Sequence, residues 1–244
     1  MRIAIAGGTG QAGAQAAAAA KERGHDVVVL SRSTGVDLVT GGGVAAALDG
    51  ADAVIDASGV GPDDDPTAFH RAVIQSLTAQ RPPHIVVLSI VNCDRAAYPL
   101  YEGKVAQERA AQASGVPFTI ARTTQFHEFA AQVLRMGTRG PLHFSPRMRT
   151  QPVAVREVGA RLVDLAEAGP AGRVADLGGP REESLVEMVR GYARATGAAR
   201  LVLPINLGGP FGRAQRDGTL LPGPDAVHGT ETFADWLARV APAG

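Results

Sequence analysis

The chain has 244 residues, 45% of them hydrophobic and 20% charged, with 24 basic and 24 acidic side chains and a formal net charge of +0. That length is enough to bury a full core, and nothing in the even charge balance suggests attraction to nucleic acid or to an anionic membrane. The single cysteine, Cys93, excludes an intrachain disulfide and a cysteine-rich metal cluster, and the six histidines are scattered without the spacing of a metal site. No signal-peptide pattern opens the chain, so a reducing, cytoplasmic location is expected.

Residues Ile3 to Ala6 are an apolar strand that runs into Gly7-Gly8-Thr9-Gly10-Gln11-Ala12-Gly13 and then into an alanine-rich helix. A strand, a glycine turn and a helix start in that order present free backbone N–H groups to a pyrophosphate, so a dinucleotide is the expected cofactor. Gly8, Gly10 and Gly13 satisfy one spacing and Gly7, Gly10 and Gly13 a wider one. The wider register is preferred, because it sets Thr9 at the apex and opens the helix with Gln11 and Ala12 over the phosphates.

Further strands are predicted at 27–30, 53–56, 84–89 and 118–122, each short, apolar or β-branched, and separated by helical stretches. This alternation predicts an α/β fold, a Rossmann-type doubly wound parallel sheet whose strand C-termini share one ligand-binding edge. Asp65-Pro66 predicts a helix start running to about Ala79, and Ser184-Leu185-Val186-Glu187 reads as a capping box. Phe233, Trp236, Leu237 and Val240 form one apolar stripe on a last helix, read as core. Beyond about residue 137 glycine and proline become frequent. The expected organisation is a dinucleotide-binding core over 1–138 and a smaller substrate-pocket region over 139–244, packed as one compact unit.

An NAD site carries a carboxylate at the end of the second strand, about 20 residues past the glycine turn. Here that strand ends in Leu30-Ser31-Arg32-Ser33. A guanidinium with two hydroxyls suits a ribose 2′-phosphate, and two charge-assisted bonds would favour NADP(H) by roughly a hundredfold; otherwise Arg32 is a solvated loop residue. Asp37-Leu38 is expected to follow a short third strand at the adenine edge, unless Asp37 is an ordinary turn residue. Ala57-Ser58-Gly59 is expected to end the fourth strand beside the glycine turn.

The glycine turn, Ser31-Arg32-Ser33, Val87-Leu88-Ser89-Ile90-Val91, the stretch from Tyr101 through Lys104 to Glu108, the segment from Ser114 through Arg122 to Phe126, and Gln151-Pro152-Val153-Ala154-Val155 together resemble the atypical short-chain dehydrogenases of the NmrA-like NAD(P)-binding branch. The resemblance implies NADP(H) as cofactor, with the nicotinamide near Ser89, Lys104 and Thr123, Thr124, Gln125 and Phe126. It also implies either a quinone or enone reductase or a redox sensor that binds the dinucleotide without turnover.

Ordinary members of the superfamily place a Tyr four residues before the Lys. In this chain that residue is Leu100, and Tyr101 stands three before Lys104, rotated by about 100° on the helix. Lys104 is the first catalytic candidate, against the alternative of a surface lysine paired with Glu108 at i+4. Ser89, Tyr101 and His127 are the others, with Tyr98 as a further possible donor. Ser89 could instead cap its strand, His127 could be a helix-start residue satisfied by backbone, and Gln125 could bind the carboxamide or cap the following helix.

The expected function is therefore an NADPH-dependent oxidoreductase that transfers hydride to a small quinone, enone or carbonyl substrate. A non-catalytic NADP(H)-binding sensor of NmrA type is the alternative, and a sugar-nucleotide epimerase or dehydratase a third. The partner is a small molecule, with no nucleic acid and no membrane, and the oligomeric state is left open.

Overall fold

The computed structural model describes residues 1–198 and 201–240. The chain forms two compact units interleaved along the sequence. The first comprises Met1–Asp94, Tyr98–Arg122 and Val155–Ala175; the second comprises Arg95–Ala97, Thr123–Ala154 and the chain from Asp176 on. A division at residue 138 therefore does not describe them. The helix Val155–Ala168 returns to the first unit because its apolar stripe, Val158, Leu162, Val163 and Ala166, is buried where it packs on the first helix.

In the first unit β1 (Arg2–Ala6), β2 (Asp26–Leu30), β3 (Ala53–Asp56), β4 (Ile85–Ile90) and β5 (Phe118–Thr123) lie in the order β2-β1-β3-β4-β5. Pairing of β1 with β2 and β3, and of β3 with β4, is parallel. Strands buried on both faces need apolar side chains throughout, and Ile3 to Ala6 and Ala53 to Ile55 are accordingly fully buried. Helices α1 (Gln11–Glu22), α2 (Val44–Leu48), α3 (Pro66–Thr78), α4 (Pro99–Ala113) and α6 (Val155–Ala168) complete the unit. The alanines of α1, with Ala16, Ala17 and Ala20 buried, keep that helix slim enough to pack against α6 and β2. Asp65 caps α3 as its sequence predicts, accepting the Ala68 N–H at 2.6 Å.

Three local expectations give way to tertiary context. Beyond β2 the chain enters a single 3-10 turn, Arg32–Thr34, and no strand precedes α2 among the described residues. Asp37 therefore does not follow a third strand. Its carboxylate accepts the N–H groups of Val39 and Thr40 at 2.9 and 3.3 Å, a local alternative to a β ladder, and Ala57-Ser58-Gly59 follows the third strand rather than the fourth.

In the second unit α5 (Phe129–Met136), β6 (Thr138–Arg139), β7 (Leu142–Pro146), β8 (Arg149–Thr150), β10 (Leu177–Gly178), β11 (Glu183–Ser184), α7 (Leu185–Ala195), β12 (Leu201–Ile205), α8 (Gly209–Asp217), β13 (Val227–His228) and α9 (Phe233–Val240) follow one another; the short β9 (Gly172–Arg173) belongs to the first unit, beside β5. β7 and β12 pair in parallel over five residues and pack against α7. Ser184 precedes α7 but its side chain caps nothing, because it pairs in β11 with Arg149 of β8, while Glu187 turns to Arg190 at 2.7 Å. On α9 Phe233 and Trp236 are buried, Leu237 is half-buried and Val240 is exposed, so the apolar stripe is core only over its first turn. Among the described residues no helix is long and apolar enough to cross a membrane.

Candidate functional site

The loop between β1 and α1 is built on mutual contact of three glycines. Gly7 adopts φ +71°, its N–H reaches Leu30 O at 3.1 Å, and its own carbonyl accepts the Gly10 N–H at 2.9 Å. A Cβ on Gly13 would fall 2.2 Å from Gly7 O, and one on Gly7 would fall 2.7 Å from the Ser58 Cα. A Cβ on Gly8 would meet Val29 Cγ1 at 2.8 Å and Ile5 O at 3.1 Å, and one on Gly10 would meet Gly7 O at 3.2 Å, so the packing does not choose between the two registers.

Gly10 ends the turn without a side-chain cap, and no acidic residue occupies the first turn of α1. Thr9 and Gln11 are exposed at this mouth while Ala12 and Gly13 are buried behind it. The amides of Gln11 and Ala12 have no carbonyl one turn earlier to bond, which makes them donors for an anion. Ser58, adjacent to Gly7, carries a buried hydroxyl with no hydrogen-bond partner. A cradle that any side chain would fill, edged by an orphaned hydroxyl, fits the phosphate bridge of a dinucleotide.

At the tip of β2 the Ser31 and Ser33 hydroxyls lie 2.8 Å apart, and Thr34 Oγ1 accepts the Ser31 N–H at 3.0 Å. This small capping turn holds Arg32 outward and exposed, its guanidinium without a hydrogen bond or ion pair among the described residues. Asp37 is drawn below the usual carboxylate range chiefly by its bonds to the Val39 and Thr40 backbone, with a lesser pull from Arg32. Leu38 packs against the apolar core of the unit.

Beneath the cradle lies a polar network. Ser58 N–H donates to Asp56 Oδ1 at 3.0 Å, Gln107 Nε2 donates to Asp56 Oδ2 at 2.7 Å, and Lys104 Nζ donates to Gln107 Oε1 and Leu88 O at 2.9 and 3.0 Å. Lys104 is thus buried and bound to β4, not a surface partner of Glu108. Burial pulls its ammonium below the ordinary lysine value against the attraction of Asp56 and Glu108. Glu108 belongs to Arg122, whose Nε and Nη2 hold its two oxygens at 2.7 Å each, and it accepts the Ser89 hydroxyl as well. Tyr101 is buried and stacks edge-on with the exposed Tyr98.

The sequence profile of the NAD(P)H-binding family matches residues 7–167, two thirds of the chain and all of the cradle. The chain belongs to this family. No curated protein matches the sequence. Among solved structures it is similar to the Escherichia coli NADPH-dependent quinone oxidoreductase QOR2 complexed with NADPH, at 19% identity over 98% of this chain and 99% of that one, with a TM-score of 0.68. It is also similar to the Citrobacter sp. triphenylmethane reductase complexed with NADP(H), at 18% identity over 99% and 100% with a TM-score of 0.72. Bordetella bronchiseptica WbmH in complex with NAD+ shares 17% identity over 86% of each chain, with a TM-score of 0.66. At these identities the likeness is one of fold, and it agrees with the NmrA-like motifs.

The remaining predicted residues lie in the second unit. Thr123 pairs with Leu177, Thr124 Oγ1 donates to Gln151 O at 2.6 Å, Gln125 Oε1 accepts the Thr150 hydroxyl at 2.7 Å, and Phe126 bridges to Val153. Gln125 is therefore not a helix cap. His127 is fully buried against Phe233 and Trp236, with its Nε2 3.1 Å from Glu231 O. That setting makes it a packing residue of the aromatic cluster rather than a donor at a pocket mouth.

Sequence reasoning missed Asp56, Gln107 and His70. Asp56 left one signal, a carboxylate closing an otherwise apolar strand. His70, on α3, is fully buried with neither ring nitrogen hydrogen-bonded, and burial, aided by Lys104, pushes its pKa down to about 2. Between that value and the unfolded value near 6.5 the unfolded chain holds a proton that the native state lacks, so this contribution to stability falls as pH drops below about 6.5. Comparing His70→Leu with wild type in urea is expected to show the variant gaining about 2 kcal/mol on wild type between pH 7 and pH 5; parallel pH profiles would show that His70 titrates normally.

Proposed function

We propose that the chain is an NADPH-dependent oxidoreductase that reduces a small quinone, enone or carbonyl compound. The observation that carries this reading is Arg32, exposed and unpaired at the tip of β2 in a chain with a dinucleotide cradle and no carboxylate at that tip. The reductase names of the two NADPH-bound structures of similar fold add support.

When bound, NADPH supplies the hydride. The amides of Gln11 and Ala12 and the Ser58 hydroxyl hold the pyrophosphate, and Arg32 with Ser31 and Ser33 holds the 2′-phosphate. Ala57, Gly59 and the Asp37-Leu38 turn border the dinucleotide. Lys104 spends two of its three N–H donors on Leu88 and Gln107, which leaves a third for a ribose hydroxyl or a substrate oxygen. A quinone suits this set best, because a hydroquinone oxyanion is stabilised within its own ring system and needs no Tyr at position 100.

Three observations favour the binding-only alternative: Leu100 replaces the usual acid, Tyr101 is buried, and the Ser89 proton is committed to Glu108. Following NADPH oxidation with a panel of quinones and carbonyls separates the two. Turnover is expected, with NADPH bound about a hundredfold more tightly than NADH, that preference erased in Arg32→Ala, and kcat at least about a hundredfold lower in Lys104→Met with NADPH still bound. Tight NADPH binding without turnover of any acceptor selects the sensor. NADH bound more tightly than NADPH, unchanged in Arg32→Ala, removes the cofactor assignment.

A further inference from the structure

A second crevice lies wholly within the second unit, at the carboxyl ends of the parallel strands β7 and β12. The last residues of the two strands, Pro146 and Ile205, are paired, and the cleft beyond them encloses about 500 Å³. Crevices at that end of adjacent parallel strands are where α/β units take ligands, and the volume is that of a small-molecule site. Four arginines, Arg147, Arg149, Arg190 and Arg216, line it together with three glutamates.

The pairing of these charges is uneven. Arg149 holds both oxygens of Glu182, through Nε at 2.6 Å and Nη2 at 2.8 Å. Arg190 holds Glu187 at 2.7 Å, and Glu183 is taken by Arg181, also at 2.7 Å. Every carboxylate of the cleft thus has its own arginine, and among the described residues Arg147 and Arg216 have no carboxylate partner. Arg216 Nη1 donates to Leu207 O at 2.8 Å, two residues past β12, which ties that guanidinium to the strand end. Arg147 is the first residue past β7; its backbone N–H donates to Ile205 O at 2.8 Å and its side chain makes no hydrogen bond or ion pair among the described residues. Two uncompensated guanidiniums therefore border one cavity, each anchored at the end of one of two neighbouring strands.

We infer that this cleft binds a small doubly charged anion, a phosphate monoester or a dicarboxylate, between Arg147 and Arg216. Guanidinium forks match phosphate and carboxylate oxygens bidentately, and a monovalent ion leaves one of the two charges unmatched. The wall also contributes Met148, Val186 and Pro204, apolar surface for the organic body that carries the charged group. This site involves no residue of the dinucleotide cradle and is independent of the proposed reductase activity.

Calorimetric titration of the whole protein with inorganic phosphate, with succinate and with chloride at matched ionic strength tests it, each run with and without saturating NADPH. Phosphate or succinate is expected to bind more tightly than chloride, with NADPH making no difference to that component, and Arg147→Gln/Arg216→Gln is expected to weaken it at least about tenfold while Arg32→Ala leaves it intact. Preference for phosphate or for succinate identifies the head group. Both arginines are at least partly exposed, so the double variant retains its fold, which its melting curve checks. Anion binding that survives in the double variant with NADPH saturating, or that never exceeds chloride, overturns the inference. Because the readout does not involve hydride transfer, a protein that fails to bind NADPH still tests the cleft.

Discussion

Gly13→Val is expected to abolish dinucleotide binding, with affinity for NADPH reduced at least about a hundredfold in a calorimetric titration. Its Cβ would lie 2.2 Å from Gly7 O and 2.8 Å from the Gly8 Cα, and both obstacles are backbone that cannot rotate away. The start of α1 must then lift from the turn, separating the amides of Gln11 and Ala12 from the place proposed for the phosphates. The same displacement removes packing from the buried face of α1, so a stability loss of about 3 kcal/mol accompanies it in urea. Gly8→Ala is the milder comparison, because its Cβ would lie 2.8 Å from the Val29 Cγ1 and 3.1 Å from Ile5 O rather than 2.2 Å from backbone. Undiminished NADPH binding by Gly13→Val would place the cofactor elsewhere and remove the basis of the proposed function.

Breaking the ion pair of Arg122 and Glu108 is expected to cost about 3–5 kcal/mol. The two side chains retain only 5% and 9% of their exposure, and Arg122 reaches one further carboxylate, Asp94, through Nη1 at 2.9 Å. Glu108→Ala therefore strands a guanidinium in the interior and leaves the Ser89 hydroxyl without its acceptor. In a chain of this size that loss lowers the melting temperature by roughly 10 °C. Asp94→Asn should shift it far less, since that carboxylate is half exposed and solvent screens the pair. The double variant Glu108→Leu/Arg122→Met is expected to regain much of what Glu108→Ala loses, because no charge then remains unpaired. A near-neutral Glu108→Ala would mean that water reaches Arg122 in solution.

Local signals were legible wherever a backbone requirement has a residue type of its own. The glycine turn, the Asp65 cap of α3 and the strands at Ala53–Asp56 and Phe118–Thr123 follow from spacing alone, within a residue or two at their ends. The exposed Arg32 was legible too, since a guanidinium two residues past the end of a short strand carries a charge that favours solvent. The capping box at Ser184 failed because a strand partner, Arg149, claimed the serine's backbone from 35 positions away in sequence. Lys104 and Glu108 stand four apart on one helix and looked like a pair, yet each has a partner from elsewhere: Leu88 for the lysine and Arg122 for the glutamate. His127, placed at a helix start by sequence, took its role from Phe233 and Trp236, more than a hundred residues on.

The amino-acid order by itself determined the β-α rhythm of the first unit, the glycine turn and the basic tip of β2, because each depends on backbone conformation or on neighbours within a few positions. Only the tertiary structure decided which polar side chains share an interior, the Lys104–Gln107–Asp56 network, the matched Arg122 and Glu108, the unmatched Arg147 and Arg216, and the return of α6 to the first unit. A buried charge takes its partner from whatever the fold brings within about 3 Å, and that choice has no period along the chain.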